Sequence, residues 1–305
     1  MPNAISLGLC ESTGHFSILC IAESLRQLAG TVTTAQIVAA VGLILFGIWL
    51  LRTSWGTKAL VDSSPRSNTM PPYLPLVVLF VWFASVPLAL LASEKLIGDL
   101  AEWQEAGLTN LIYCLSGITI GTATIFLAKH YFHRHLKGFG LDIRTVHKDF
   151  LAAVMNLLCI WPLVMAAIVL TIRSGKMIWG PDFEMPQHKQ LELLARYSQL
   201  SLRILIFVVA AVVAPVLEEL LFRGLFQTAI RSFLSDLQWP QSAWLSIAAS
   251  SALFAAAHAN AGHWPALFVL SLCMGYSYEK SGSLFRPILI HALFNGMNVL
   301  AVLSG

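Results

Sequence analysis

Charge is the scarcest thing in this sequence. Only 11% of its 305 residues are Asp, Glu, Lys or Arg, and the formal net charge is +3. Soluble domains carry about 25% charged residues, so an ordinary water-soluble fold is excluded, and so small a net charge gives no footprint for nucleic acid. Cysteine is sparse as well. Cys10, Cys20, Cys114, Cys159 and Cys273 are scattered without a C-x-x-C pair, which argues against a disulfide framework or a thiolate metal site. Several catalytic signatures are missing. No H-E-x-x-H stands on one helix, no G-x-S-x-G turn appears, and no aspartate falls within a confident apolar span. The first thirty residues lack a basic start, so no cleaved signal peptide is expected. Neither an internal repeat nor a low-complexity tract is visible.

What fills the chain is apolar surface, with 57% hydrophobic residues and a mean hydropathy of +0.72. A helix needs about 20 mostly apolar residues to cross roughly 30 Å of hydrocarbon. Candidate spans run near Thr34–Leu51, Tyr73–Ala92, Leu108–Ala128, Phe150–Ile172, Leu200–Phe222, Trp244–His258, Trp264–Tyr278 and Leu284–Leu303. These predict an all-α, polytopic transmembrane bundle of about eight spans. Residues 1–33 form a separate N-terminal segment, with an outer-surface helix as one reading. Residues 34–199 supply the first helices and loops, and residues 200–305 a C-terminal core. Asp62 to Pro72, rich in Ser and Pro, reads as a flexible connector.

Lys and Arg distribute unevenly over the two sides. One side collects twelve, among them Arg52, Lys129, Arg134, Lys137, Arg223 and Lys280, and the other six. The positive-inside rule then makes the Lys129–Lys148 loop cytoplasmic and both termini external, in a multi-pass protein of the cell (inner) membrane.

Against this background the stretch "APVLEELLFRG" stands out. Ionisable groups within spans are costly unless paired or facing a water-filled cavity. Glu219 and Arg223 are spaced i,i+4 with the acid first, the favourable order for a helical pair. Glu218 points about 100° away, which leaves one carboxylate free. Farther along, Phe254 and His258 share a helix face, and His291, Asn295 and Asn298 form a polar stripe on the last span. Measured in residues from the turn near Gln238, Glu218 and His258 have matched depth, whereas His291 fits less closely. A desolvated carboxylate suits a general base, a histidine can share its proton, and His291 with Asn295 can donate to an oxyanion. Glu218, His258 and His291 could equally hold a Zn²⁺ with an open position. The residues leave zinc and no metal as open alternatives.

These three motifs resemble those of the CAAX-protease and bacteriocin-processing (CPBP) family of intramembrane peptidases, which includes the Ras-converting CAAX endopeptidase. The family carries E-E-x-x-x-R, F-x-x-x-H and H-x-x-x-N/D on successive spans. Here they read Glu218-Glu219-Leu-Leu-Phe-Arg223, Phe254-Ala-Ala-Ala-His258 and His291-Ala-Leu-Phe-Asn295, in the same order, and cover Ala214 to Asn298. The resemblance implies an intramembrane endopeptidase in which Glu218 and His258 activate water. His291 and Asn295 would stabilise the transition state, and Glu219 and Arg223 would support Glu218. The implied partner is a membrane-associated peptide or protein, prenylated or leader-bearing, within the lipid bilayer.

Plainer readings stand beside these. A lone His258 is most simply a satisfied buried histidine, and His291 with Asn295 could be interhelical glue. His263 reads as interfacial, Arg203 as snorkelling or locally paired. The basic Lys129–Lys148 segment reads as a positive-inside loop, with lipid-headgroup or substrate docking as the less ordinary role. For the whole chain, the rivals to a peptidase are a silent scaffold or immunity-type protein, and a proton-coupled transporter.

Overall fold

Residues 33–304 are described by the computed structural model; apart from Thr33, the N-terminal segment expected over 1–33 lies outside them. The chain is helical: α1 Thr34–Arg52, α2 Leu74–Glu94, α3 Glu102–Tyr131, a short α4 His135–Phe139, α5 Val146–Trp179, α6 Lys189–Arg196, α7 Leu200–Asp236, α8 Ser242–Ala256, α9 Trp264–Ser281 and α10 Phe285–Ser304. Each of the eight expected spans falls on one of these helices. Among the described residues six are long and apolar enough to cross a membrane. The exceptions are α8, at 15 residues, and α9, whose last turn holds Glu279 and Lys280.

The helices run up and down, so the connections collect at two ends. At one end the 52–73 connector, the turn around α4 and the α9–α10 turn meet: Asn68 Nδ2 donates to Ser232 Oγ at 3.1 Å, and Leu284 N to Gly140 O at 2.8 Å. At the other end Arg196 pairs with Glu102 at 2.6 Å, and a His263 ring nitrogen lies 2.9 Å from Pro186 O. The Asp62–Pro72 connector, expected to be flexible, is tied down by backbone bonds from Thr69 N to Tyr131 O and from His133 N to Ser67 O. Composition alone does not reveal such long-range partners.

The core gathers around α7, α9 and α10, while α1 packs on α5 at the periphery, with Trp49 donating to Tyr276 OH at 3.0 Å. Abundant exposed Leu, Ile and Phe elsewhere suit lipid-facing helices, because a bilayer removes the penalty that water imposes on such surface. Arg223, placed with the cation-rich side from sequence, sits instead in the bundle interior at 0% exposure. Setting it aside leaves the asymmetry between the two ends in place.

Candidate active site

The site is built on α7, which is not a regular helix. Two π-helical turns, Val209–Val213 and Leu220–Gln227, flank the α-helical Ala214–Glu219 segment that carries Pro215, Glu218 and Glu219. Pro215 has no N–H to donate, and a π turn leaves carbonyls without their usual i+4 partner. The freed carbonyls are answered from outside the ladder. Ser250 Oγ on α8 donates to Phe222 O at 2.7 Å, and Thr228 Oγ1 to Arg223 O at 3.3 Å. Gly224, within "FRG", lets the Phe139 ring lie where a Cβ would stand, locking α4 against the widened turn.

Glu219 and Arg223 are both fully buried, and Arg223 Nη1 donates to Glu219 Oε1 at 2.8 Å. The other guanidinium arm reaches α9, donating to Ser271 Oγ at 2.6 Å and Ser271 O at 3.2 Å. Its plane lies 4.7 Å from the centre of the Phe254 ring, a cation–π distance. Phe254 also touches the rings of Phe222, His258 and His291. The aromatic residue of F-x-x-x-H is therefore the partition against which the charged groups are packed.

Glu219 is more than half of an ion pair. His291 Nδ1 lies 3.0 Å from Glu219 Oε1. A carboxylate accepts only, so His291 donates from Nδ1 and its Nε2 points the other way. That nitrogen stands 3.9 Å from Glu218 Oε2. His291, which from residue counting fitted the site's depth poorly, is thus its centre. The reason is that α7 continues past the α9–α10 turn, where Arg231 meets Glu279 and Ser242, so helix ends are a poor measure of level.

The carboxylate left over is Glu218. Its residue is 8% exposed, and Oε2 is buried without a hydrogen-bond partner. It faces a cavity of about 620 Å³ whose lining includes His258, His291, Asn295 and Asn298. Glu218, His258, His291 and Asn295 thus line one cavity. His258 Nδ1 lies 2.8 Å from Phe254 O; a carbonyl only accepts, so Nδ1 carries the hydrogen and Nε2 keeps a lone pair. Asn295 Nδ2 donates one hydrogen to Ala210 O at 2.9 Å, which fixes the amide and leaves its second N–H and its carbonyl oxygen.

The zinc alternative fares differently. Glu218 and His291 approach one another, but His258 does not join them, and among the described residues no group of three His, Cys, Asp or Glu side chains is placed to hold a metal ion. A catalytic zinc site uses three protein ligands, so the residues present do not fit that group.

Other lining residues carried no signal in the sequence. Trp82 and Phe83 of α2, Tyr113 of α3 and Ile168 of α5 form apolar walls, and Met185 to His188 with His263 form the rim. His263 alone among them stands out in the sequence, as an interfacial residue. Pro186, Gln187, His188 and Ala259 are exposed, so the cavity opens at the end opposite the cation-rich connections. His188 caps α6, its Nδ1 accepting from Gln190 N at 3.3 Å. The packing around it lowers its pKa first, and the neighbouring His258 and His263 lower it further, as expected when a second positive charge is disfavoured. Arg203 pairs locally, donating to Tyr197 O at 2.8 Å.

A multi-pass helical bundle with a buried Glu–Arg–His network beside an unpartnered carboxylate defines a membrane protein with a polar site on a cavity inside it. Residues 200–297 match the family model described as type II CAAX prenyl endopeptidase Rce1-like, so this segment is similar to the CAAX proteases. None of the curated proteins and none of the solved structures compared with the chain matches it.

Proposed function

We propose that the chain is a metal-free, glutamate-dependent intramembrane endopeptidase with Glu218 as general base. The carrying observation is the buried, unpartnered Glu218 Oε2 on a cavity shared with His258, His291 and Asn295. A cavity water gives a proton to the Glu218 carboxylate, assisted by the His258 Nε2 lone pair, and its oxygen attacks the scissile carbonyl carbon. The C=O electron pair moves onto oxygen, and the oxyanion is received by the second Asn295 N–H and by His291 Nε2–H. His291 donates from both nitrogens only when its ring carries a second proton, a charge that the Glu219 carboxylate, 3.0 Å from Nδ1, offsets. Collapse of the tetrahedral intermediate breaks the C–N bond, and the proton held at Glu218 or His258 passes to the leaving amine.

The walls and the opening support a reading of the substrate class. Trp82, Phe83 and Phe294 suit an apolar, membrane-borne segment, and Phe83 is 49% exposed at the flank of α2. With the Lys129–Lys148 loop in the cytoplasm, the rim at His188 and Ala259 faces outward. That arrangement favours leader-bearing or membrane-protein segments presented from the outer face over a cytoplasmic prenylated tail.

The test is cleavage by the purified full chain in nanodiscs, using a prenylated C-terminal peptide and apolar leader-type peptides as separate probes. General acid–base contributions run to about 10²–10⁴-fold, so Glu218→Gln should lose activity by that order while unfolding like the wild type. Undiminished cleavage by Glu218→Gln sinks the assignment.

A further inference from the structure

At the cation-rich end, remote from the candidate active site, lies a second cavity of about 540 Å³. Its lining is polar or charged throughout except for Pro65, Gly138 and Gly282. Leucines and phenylalanines cover much of this molecule's outside, so a pocket without one is no by-product of its composition. The roof is the Asp62–Ser67 stretch of the connector, held in place by the Thr69 and His133 backbone bonds and by Asn68 on Ser232.

The floor is preorganised. The Arg66 guanidinium stacks 3.5 Å over the Tyr278 ring, Nη2 donates to Tyr278 O at 2.9 Å, and Nη1 lies 3.6 Å from Glu279 Oε2. Tyr278 is itself anchored, its hydroxyl donating to Phe139 O at 2.9 Å. Arg134, Lys137 and Lys280 complete a ring of four cations. Two carboxylates oppose them, but Glu279 is already shared with Arg231, whose Nε donates to it at 3.2 Å. That leaves Asp62 inside the cavity. Outside it, Asp142 lies 3.6 Å from Lys137 Nζ, with the lysine 51% exposed, a solvent-screened pair of little strength. The cavity thus has an excess of positive charge, a rigid guanidinium and the Ser64 and Ser67 residues at its edge.

We propose that this cavity binds a phosphate group, carried either by the headgroup of an anionic phospholipid or by a soluble phosphate. Guanidinium and ammonium donors match phosphate oxygens through short, charge-assisted bonds. Position agrees with chemistry, because basic pockets between helices at the membrane–water boundary are where anionic headgroups are met. An occupant would bridge the connector, the α3–α4 turn and the end of α9. It explains why a Ser- and Pro-rich connector is pinned against three cationic elements rather than left loose. The site stands apart from Glu218, and the inference does not depend on the peptidase reading.

Thermal unfolding of the purified full chain tests it. The probes are inorganic phosphate in detergent, and nanodiscs of phosphatidylcholine alone or mixed with phosphatidylglycerol. One variant is Arg134→Gln/Lys137→Gln/Lys280→Gln. The control is Arg144→Gln/Lys148→Gln, two cations of the same face that do not line the cavity. Wild type and control should be stabilised by the anionic probe, inorganic phosphate or phosphatidylglycerol, relative to phosphatidylcholine alone. The triple variant should lose that gain, each removed contact weakening apparent affinity about tenfold. Stabilisation by phosphatidylglycerol alone identifies a headgroup site; stabilisation by inorganic phosphate as well identifies a site open to soluble phosphate. Should the triple variant fold poorly in phosphatidylcholine, Lys280→Gln alone must still weaken the response. Equal stabilisation of triple variant and control, or no response of the wild type to any probe, overturns the proposal.

Discussion

Arg223→Met isolates the energetic core of the site. The substitution removes a fully buried cation and keeps the side chain apolar and of similar length. It leaves Glu219, at 0% exposure, with only His291 Nδ1 at 3.0 Å, and it strips two acceptors on Ser271 of their donor. Breaking a buried pair by deleting one partner costs about 3–5 kcal/mol. Because His291 can take part of the charge, the lower end applies, about 3 kcal/mol, or roughly a hundredfold in the folded-to-unfolded ratio. Denaturant titration in mixed micelles, followed by tryptophan fluorescence, reads the change. Glu219→Gln in the same background should recover part of the loss, since no uncompensated charge then remains buried. Glu218→Gln serves as the reference, because its Oε2 has no partner to lose. If Arg223→Met unfolds no more readily than Glu218→Gln, the Glu219–Arg223–His291 network is not what holds α7 to α9 and α10.

Gly224→Ala should destabilise by about 1–3 kcal/mol, since the Phe139 ring occupies the space of the new methyl group; a neutral effect in the same titration would show that α4 yields easily. Topology is read by an impermeant thiol reagent on intact cells, after replacing the native cysteines: Ala259→Cys at the cavity rim should label, and Lys137→Cys only after permeabilisation, with the reverse pattern inverting the orientation. Peptidase activity should survive exhaustive chelation, whereas a loss restored by Zn²⁺ would return the metal alternative. His188 titrates below its ordinary value in the folded protein, so the unfolded chain binds the proton more tightly. The stability that His188 contributes at the Met185–His188 rim is therefore complete above about pH 6.5 and falls as the pH drops through that value. Hydrogen exchange over residues 180–188 should accelerate on acidification in the wild type and not in His188→Gln.

The span count, the all-helical class and the convergence of Glu218, His258, His291 and Asn295 were readable because lipid makes polar residues conspicuous. In hydrocarbon an unpaired charge costs several kcal/mol, so each one present already asks for an explanation. The i,i+4 rule found the Glu219–Arg223 pair for the same local reason. What it could not find is that Glu219 also holds His291, 72 residues away, because that contact depends on where α7 and α10 cross. The π turns were equally hidden: neither propensity nor periodicity marks Leu220–Gln227, and the Ser250 that relieves it reads as an unremarkable serine in an alanine-rich helix. Glu279 with its two arginine partners, Arg66 and Arg231, leaves no local signal, since nothing in the spacing links residues 66, 231 and 279.

A division of labour runs through the cavity. Each residue with a proposed chemical role lies between 200 and 297, the segment that matches the family model. The surfaces that would grip a substrate come largely from outside it: Trp82, Phe83 and Val86 from α2, Tyr113 from α3, Ile168 from α5 and the Met185–His188 rim. Polar catalytic groups must sit at fixed mutual distances, whereas an apolar wall can be rebuilt from any side chains of suitable volume. The first half of the chain can therefore carry no recognisable motif and still decide which segment is cut. Exchanging Phe83 or Tyr113 for smaller residues should redistribute cleavage among the peptide probes and leave the Glu218-dependence of each unchanged; uniform loss across all probes would assign those residues to folding rather than to selection.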